Sequence, residues 1–247
     1  MIRALPFLLL GCADPVWQLS LSVDPPLDLP SEAADGCTVT VDALSLAVTQ
    51  RWLEVDHRAD GSDATWAVDL EPVRQYSPQL AVPPGRFATV RVATGAPHLH
   101  STPVGNPLSR FVDLLWSERA GAFVVGRARC EERTVSFAWT LPAHSEQRCA
   151  TPALEVGPTG ALIVPAVART DVLFEGEPGV LMPRALVDAD LNGDGELTLA
   201  ELRATPIGNT GWAAGPREGT LGQAIANRSG RLLALPALAC VPVDAER

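Results

Sequence analysis

One short acidic segment near the C-terminal end of the chain carries the residues best suited to chemistry. Asp190, Asn192 and Asp194 stand at alternate positions, and Glu201 follows seven positions after the last of them. Carboxylate and amide oxygens in such a cluster suit Ca²⁺, which takes about six to eight hard oxygen ligands in a flexible shell. Gly195 follows Asp194 directly and permits the sharp turn that wraps a chain around an ion. The segment therefore predicts a calcium-binding loop, and the alternative is a solvated acidic turn without an ion.

The segment Asp190–Glu201 resembles the twelve-residue loop of EF-hand proteins, and its first residues are similar to dockerin loops. The resemblance implies six ligand residues: the side chains of Asp190, Asn192 and Asp194, the backbone carbonyl of Glu196, Thr198 directly or through water, and both carboxylate oxygens of Glu201. Thr198 and Glu201 also form a pair typical of a helix start. Asp188 lies just outside the loop and could frame a shifted set of ligands, but we expect it to add charge rather than a ligand. A second loop of this kind is missing from the sequence, which favours a fixed structural ion over a calcium sensor.

A second chemical signal lies at the N-terminus, around Cys12. Arg3 supplies one positive charge, an apolar run follows, and the small residue Gly11 precedes the cysteine, which together make a secretory pattern. The residues Leu9–Cys12 resemble the lipobox of bacterial lipoproteins. The resemblance implies cleavage before Cys12, a diacylglycerol thioether on its sulfur and acylation of its new amine, and two or more acyl chains attach a protein durably to a bilayer. Ala13 after the cysteine implies the outer membrane if the host is Gram-negative. The alternative is an uncleaved apolar start of a cytosolic protein.

The remaining cysteines are Cys37, Cys130, Cys149 and Cys240. An even number in an exported chain suggests disulfides, and the absence of a Cys-x-x-Cys spacing disfavours a zinc ribbon or a thioredoxin-like site. Of the three possible connectivities we favour Cys130–Cys149, which closes a local loop, with Cys37–Cys240, which ties the start of the core to its end. The alternative is buried free thiols.

His98 and His100 form a weaker candidate for metal binding. On an extended segment both imidazoles share one face, and His57 or His144 could complete a copper or zinc site. A plain surface pair is the simpler interpretation. The sequence contains no Gly-x-Ser-x-Gly elbow, His-Glu-x-x-His or P-loop motif, so we expect a protein that is not an enzyme. An envelope hydrolase whose site is assembled from distant residues is kept as an alternative.

Polar and apolar residues alternate along most of the chain from Cys37 onward, with turn-forming residues between the runs. This pattern predicts a mainly β protein with an antiparallel β-sandwich and a small C-terminal helical annex that resembles an EF-hand. The alternation slips near Ala43, which suggests a bulge. The strand-like runs cover residues 37–48, 52–56, 65–70, 87–93, 111–116, 123–129, 134–141 and 161–174.

Five segments are predicted along the chain: a signal peptide (1–11), a lipid-anchored tether and entry segment (12–36), the sandwich (37–177), the calcium-binding annex (178–230), and a closing strand with the C-terminal tail (231–247). The entry segment contains a possible strand at Trp17–Val23. Within the annex the sequence predicts short helices over residues 180–188, 199–204 and 220–227, with the calcium loop before the second.

Charge and composition narrow the possible partners. The net charge is −10 and all 19 basic residues are arginine, which disfavours nucleic acid as a partner and chemistry that needs lysine. No apolar run reaches the length of about 18 residues that a transmembrane helix requires. The sequence thus predicts an exported, calcium-binding lipoprotein of the bacterial envelope with a structural or binding role. Its one identifiable partner is the lipid bilayer, and a protein or glycan ligand is not named by any motif.

Overall fold

A computed structural model describes residues 14–24, 31–33, 35–55, 58–70, 75–97, 111–236 and 238–242. The strands are β1 (Val16–Val23), β2 (Ser31–Glu32), β3 (Thr38–Val55), β4 (Arg58–Ser62), β5 (Trp66–Leu70), β6 (Gln75–Tyr76), β7 (Leu80–Ala81), β8 (Gly85–Thr94), β9 (Ala122–Cys130), β10 (Arg133–Leu141), β11 (Ser145–Val156), β12 (Ala161–Ala168), β13 (Glu175–Glu177), β14 (Val180–Leu181), β15 (Leu233–Ala234) and β16 (Ala239–Pro242). The α-helices are α1 (Val112–Ser117), α2 (Arg184–Asp188), α3 (Leu199–Ala204) and α4 (Leu221–Ser229), and 3₁₀ turns lie at Asp171–Leu173 and Ile207–Asn209.

The strands form the predicted sandwich of mainly antiparallel sheets. The larger sheet has the order β10-β9-β3-β8-β11-β16, with β2, β4 and β5 also paired to β3. The smaller sheet has the order β15-β12-β1-β6, with β7 also paired to β1. Among the named strands of the described residues, β1 and β12 form the one parallel pair. A continuous apolar core lies between the sheets and includes Trp17, Leu46, Trp66, Val90 and Trp139.

The long strand β3 lies at the centre of the larger sheet, where five other strands pair with it. Its 18 residues join two runs that the sequence suggested were separate strands. Proline and glycine are absent from the segment, so nothing ends the strand between them. The register shifts between Val41 and Ala43, at the predicted slip, and again between Val48 and Gln50. These bulges let β3 pair with β9 over its first half and with β8 over its second half.

Because of strand β1, the sandwich begins closer to the N-terminus than predicted. Residues 12–36 were predicted as a tether and entry segment, with only a possible strand inside it. In the structure Trp17, Leu19 and Leu21 are fully buried, and β1 pairs with β12 along its whole length. The sandwich therefore starts at Val16 rather than at residue 37, because a partner almost 150 residues away buries this strand.

Helix α1 corrects the strand predicted at Phe111–Trp116. The helix packs on the outer face of the larger sheet, where Leu115 is fully buried and the rings of Phe111 and Phe123 lie 4.8 Å apart. The small side chains of Ala47 and Ala67 on this face leave room for a helix. The apolar run had no strict alternation, and the tertiary packing decides its conformation.

The C-terminal annex contains three short helices close to the predicted ones and shares the core of the sandwich. The first is shorter than predicted, because residues 180–181 form β14 and α2 begins only at Arg184. Leu186, Leu202 and Ile225, one from each of α2, α3 and α4, are fully buried in that core. Both α3 and α4 begin with a capping box, in which a threonine hydroxyl and a Glu or Gln three residues later satisfy the first free backbone groups. Among the described residues no helix is long and apolar enough to cross a membrane.

All four predicted cysteines form disulfides, but the favoured connectivity is wrong. The bonds are Cys37–Cys130 and Cys149–Cys240. The strand register explains both. Thr38 pairs with Arg129, which brings the neighbouring Cys37 and Cys130 together, and Cys149 lies directly opposite Cys240 across β11 and β16. Sequence spacing could not reveal these pairings, because they depend on which strands are neighbours.

The connectivity can be checked by peptide mapping of the exported protein after digestion without reductant. We expect cross-linked peptides containing Cys37 with Cys130 and Cys149 with Cys240, because each pair joins adjacent strands. Recovery of a peptide that links Cys130 with Cys149 would contradict the strand order described above.

Candidate metal centre

The acidic loop, defined as Asp190–Glu201, follows α2 and extends into the first turn of α3. Asp190 is only 8% exposed, and its two carboxylate oxygens accept hydrogen bonds from the backbone N–H groups of Gly193 (2.9 Å) and Gly195 (3.2 Å). Both glycines have left-handed backbone conformations, with φ of +73° and +81°. Such values disfavour other residues, which explains why glycine stands at these two positions. A carboxylate oxygen has two lone pairs, so each oxygen of Asp190 retains one for a cation.

Asn192 and Asp194 continue the same turn. The Asn192 Oδ1 accepts a hydrogen bond from the Asp194 N–H (2.9 Å), and the Asp194 Oδ1 accepts one from the Glu196 N–H (2.8 Å). The Asn192 amide also donates to the Asp194 Oδ2 (2.9 Å). These short-range bonds keep three oxygen-bearing side chains on one tight loop. They are local, so the sequence pattern could predict them.

Glu201 returns from the first turn of α3 towards the loop. Its Oε2 accepts hydrogen bonds from the Thr198 N–H (3.0 Å) and the Thr198 hydroxyl (2.9 Å). Its Oε1 is shielded from water and has no hydrogen-bond partner. A shielded acceptor without a donor is unfavourable, and a water molecule or a bound cation beside it would remove that cost.

The pKa of Glu201 is lowered, above all by the hydrogen bond from the Thr198 backbone N–H and then by the Thr198 hydroxyl. The Asn192 backbone N–H acts weakly in the same direction, while partial burial and the charge of Asp194 oppose it. Groups in the first half of the loop, Asn192 and Asp194, thus influence the pKa of the Glu201 carboxyl group. The ionised Glu201 carboxylate stabilises the folded protein when the pH is above the ordinary pKa of a glutamate. This stabilisation is lost as the pH falls through the lowered pKa of the folded state.

The loop is fastened to the open edge of the larger sheet. The Ser136 N–H donates to the Gly195 carbonyl and the Leu197 N–H donates to the Ser136 carbonyl, both at 2.8 Å. The Ser136 hydroxyl adds a third bond, to the Gly195 carbonyl at 3.1 Å. Ser136 and Glu196 form a parallel bridge, in which Ser136 bonds to the residues on either side of Glu196. The N–H and C=O groups of Glu196 itself therefore point away from β10 and towards the loop. That is the direction a backbone carbonyl ligand needs.

Two buried aromatic rings fix the other side of this attachment. The Trp139 Nε1 donates to the Leu197 carbonyl at 2.9 Å, and Trp139 is completely buried. Its ring stacks on Phe137 with centroids 4.1 Å apart. Leu197 itself is 2% exposed, so the eighth residue of the loop belongs to the core of the protein.

The helix before the loop is held at both ends. The Asp35 carboxylate accepts a hydrogen bond from the Arg184 N–H at the start of α2 (2.8 Å). At its end, the Arg133 guanidinium donates to the Val187 carbonyl (2.7 Å) and pairs with Asp188 at 3.4 Å. Asp188 therefore faces an arginine and lies outside the ligand set.

The carboxylates do not yet converge on one point. Within the described part of the chain, no three His, Cys, Asp or Glu side chains form a group that could hold a metal ion as they stand. The donor set nevertheless fits Ca²⁺ chemically, because it is made of hard oxygens and leaves the Glu201 Oε1 without a partner. Binding would require the carboxylates of the loop to come closer together.

The other predicted sites divide between described and undescribed parts of the chain. Cys12, His57, His98 and His100 lie outside the described residues, so the lipidation site and the proposed histidine pair remain predictions. His144, the other possible ligand of that pair, is exposed in the link between β10 and β11.

An open groove of about 530 Å³ borders the acidic loop. The outward face of β9 and β10 forms one wall and residues 196–199 of the loop form the other. An ion pair between Arg127 and Asp42 at 3.4 Å lies along it. Any movement of the loop on binding an ion would therefore change the shape of this groove.

Comparisons with protein-family models, with curated proteins and with solved structures find no match for this chain.

Ser136 and Trp139 are the residues that sequence reasoning missed. Both lie more than 50 residues before the loop, in a strand that was predicted only as part of the sandwich. The single available signal was the apolar residue at the eighth position of the loop, Leu197, which indicated a contact with the core but not the strand that provides it.

The two capping boxes allow a controlled test of the loop. We expect Thr198→Ala and Thr220→Ala each to lower the free energy of unfolding by about 1 kcal/mol, since each removes a helix cap. Only Thr198→Ala should also weaken calcium binding, because Thr198 holds Glu201. Chemical denaturation and calorimetric calcium titration of both variants provide the measurement. Equal loss of calcium affinity in the two variants would contradict the role given to Thr198.

Proposed function

We propose that this chain is a calcium-binding lipoprotein of the bacterial cell envelope that is anchored in the membrane. Its proposed role is structural or in binding, and not that of an enzyme. The observation that carries the calcium part is the unpaired, water-shielded Oε1 of Glu201, in the same loop as the buried carboxylate of Asp190. A bound Ca²⁺ would neutralise these charges and give the Glu201 oxygen a partner. The remaining ligands would be Asn192, Asp194, the Glu196 carbonyl and Thr198.

A fixed ion is favoured over a switching one. The loop is bonded to β10 through Ser136, and α2 is held at one end by Asp35 and at the other by Arg133. Large opening of the flanking helices would break these contacts and expose Leu186 and Leu202 from the common core. Extracellular sites of weak affinity, with Kd of about 10⁻⁴–10⁻³ M, are sufficient for a structural ion.

Calorimetric titration of the chelator-treated protein should detect one calcium site. Binding to the native state alone raises stability by about 2.7 kcal/mol at a hundredfold excess over Kd. Magnesium should substitute poorly because it prefers a tighter octahedral shell. Without the ion, repulsion among the carboxylates should loosen residues 186–205 while the sandwich stays folded. Absence of calcium heat and of a calcium-dependent rise in Tm at millimolar ion would leave only a solvated acidic turn.

A matched pair of variants separates the ligand from the fold. Glu201→Gln removes the charge and weakens the bidentate ligand, yet glutamine still supports a capping box, so calcium affinity should fall with little loss of stability. Glu196→Gln removes one charge from the same loop but keeps the backbone carbonyl ligand, so most of the affinity should remain. The assignment fails if Glu196→Gln weakens binding as much as Glu201→Gln does.

The membrane anchor rests on the lipobox-like residues that end at Cys12. The first described strand begins only four residues later, which places the domain immediately after the proposed lipidated residue. The four other cysteines are in disulfides, which suits an oxidising compartment outside the cytoplasm. We therefore assign the protein to the envelope, with the outer membrane as its location in a Gram-negative host.

Cys12→Ser should abolish lipidation and leave the protein unprocessed or released from membranes. Gly11→Ala is the matched control, since it keeps a small residue before the cysteine and should preserve processing. Intact mass and partition into a detergent phase distinguish the forms. Equal membrane partitioning of the processed native protein and of a Cys12→Ser protein of mature size would refute the anchor.

A further inference from the structure

The proposed lipid anchor lies very close to the folded domain. Cys12 precedes Val16, the first residue of β1, by four positions. An extended chain spans at most about 3.6 Å per residue, so this connection reaches no further than about 14 Å. A tether so short leaves the domain little freedom to turn over at a membrane surface. The end of the sandwich at which β1 begins must therefore stay beside the lipid headgroups.

We call this end of the sandwich the entry end and define it as residues 14–16, 82–86 and 155–161. Backbone hydrogen bonds hold its three segments together. The Val82 N–H donates to the Pro15 carbonyl and the Val16 N–H donates to the Gly160 carbonyl, each at 3.0 Å. The turns are rich in proline and glycine, and residues 84–86 and 157–161 are exposed.

The charges of the entry end suit a lipid surface. Its charged residues are Asp14, Arg86 and Glu155, and Arg86 pairs with Glu155 at 3.8 Å. Residues 188–201, by contrast, carry five carboxylates and no basic residue. An anionic bilayer repels such an acidic segment within about 10 Å, the screening length at moderate salt, while it tolerates the nearly neutral entry end.

The acidic loop lies at the opposite end of β3. Ser136, which binds the loop, pairs with Arg127, and Arg127 pairs with Thr40 near the start of β3. Glu54, near the other end of β3, pairs with Thr89 close to the start of β8 at the entry end. Glu54 follows Thr40 by fourteen positions, which corresponds to roughly 45 Å along the strand.

Strand β12 also shows that the entry end and the annex lie at opposite ends of the sandwich. It begins at Ala161 in the entry end and runs to Ala168, after which the chain passes through a 3₁₀ turn into the annex. The annex therefore continues from the end of the smaller sheet that lies away from the entry end.

From this geometry we infer that the entry end rests on the bilayer surface and that the acidic loop with its groove is presented away from the membrane. The inference depends on the proposed anchor at Cys12. It identifies the lipid headgroup layer as the partner of the entry end. It also leaves the groove beside the loop free for a soluble partner.

The orientation can be measured with the lipidated protein in vesicles of phosphatidylethanolamine and phosphatidylglycerol whose headgroups carry nitroxide quenchers. A fluorescent amino acid is placed either at Thr159, in the entry end, or at Leu191, an exposed residue of the acidic loop. We expect a loss of fluorescence at position 159 and none at position 191. Inserting a long Gly-Ser linker between Ala13 and Asp14 should abolish the difference, because the domain can then turn freely.

The outcomes separate the inference from the proposal on which it rests. Protein that does not float with the vesicles lacks the anchor, and then the anchor proposal itself is wrong. Protein that floats but is quenched equally at both positions, or more at position 191, overturns the orientation alone. Persistence of the difference in the linker variant would also overturn it, since the short tether would not be its cause.

Discussion

The backbone pairing between Gly195–Leu197 and Ser136 is the interaction on which the candidate site depends. β10 is an edge strand, and its outward N–H and C=O groups need partners. The acidic loop supplies them at Ser136. The same pairing turns the backbone of Glu196 towards the loop and places Leu197 in the core, where Trp139 bonds to its carbonyl. One short bridge therefore closes part of the sheet edge and orients the loop.

This arrangement explains how a single loop can be stable without a second one beside it. The sheet edge replaces a partner loop as the rigid support. Asp35 and Arg133 hold α2 at its two ends, while Thr198 and Glu201 hold the start of α3. The free energy of ion binding would thus stabilise both the annex and the adjacent edge of the sandwich. A site built in this way suits an ion that stays bound and keeps the groove beside it in one shape.

The parts of the structure that short-range chemistry decides could be predicted from the sequence. The glycines of the loop, the cap at Thr198 and the bulge near Ala43 each follow from a few neighbouring residues. The parts that depend on distant neighbours could not. Helix α1 forms because small residues elsewhere leave space for it, and the disulfides follow from strand order. The attachment of the loop to Ser136 had no local signal.

The start of the sandwich was also predicted too late in the chain, at residue 37 instead of Val16. The sequence pattern indicated only a possible strand at Trp17–Val23 inside an entry segment. The burial of this strand, β1, depends on β12, which lies far along the chain. The consequence is functional, because the strand leaves almost no tether between the folded domain and the proposed lipid at Cys12.

Calcium binding by the loop can be tested with a crystal structure of the protein grown with calcium, for which anomalous diffraction is recorded at a long wavelength. We expect one anomalous peak with oxygens of Asp190, Asn192, Asp194 and Glu201 at about 2.3–2.6 Å. The Glu196 carbonyl should complete the shell while the hydrogen bonds to Ser136 persist. A loop without a peak at saturating calcium, or an ion bound by a loop that has left the edge of β10, would contradict it.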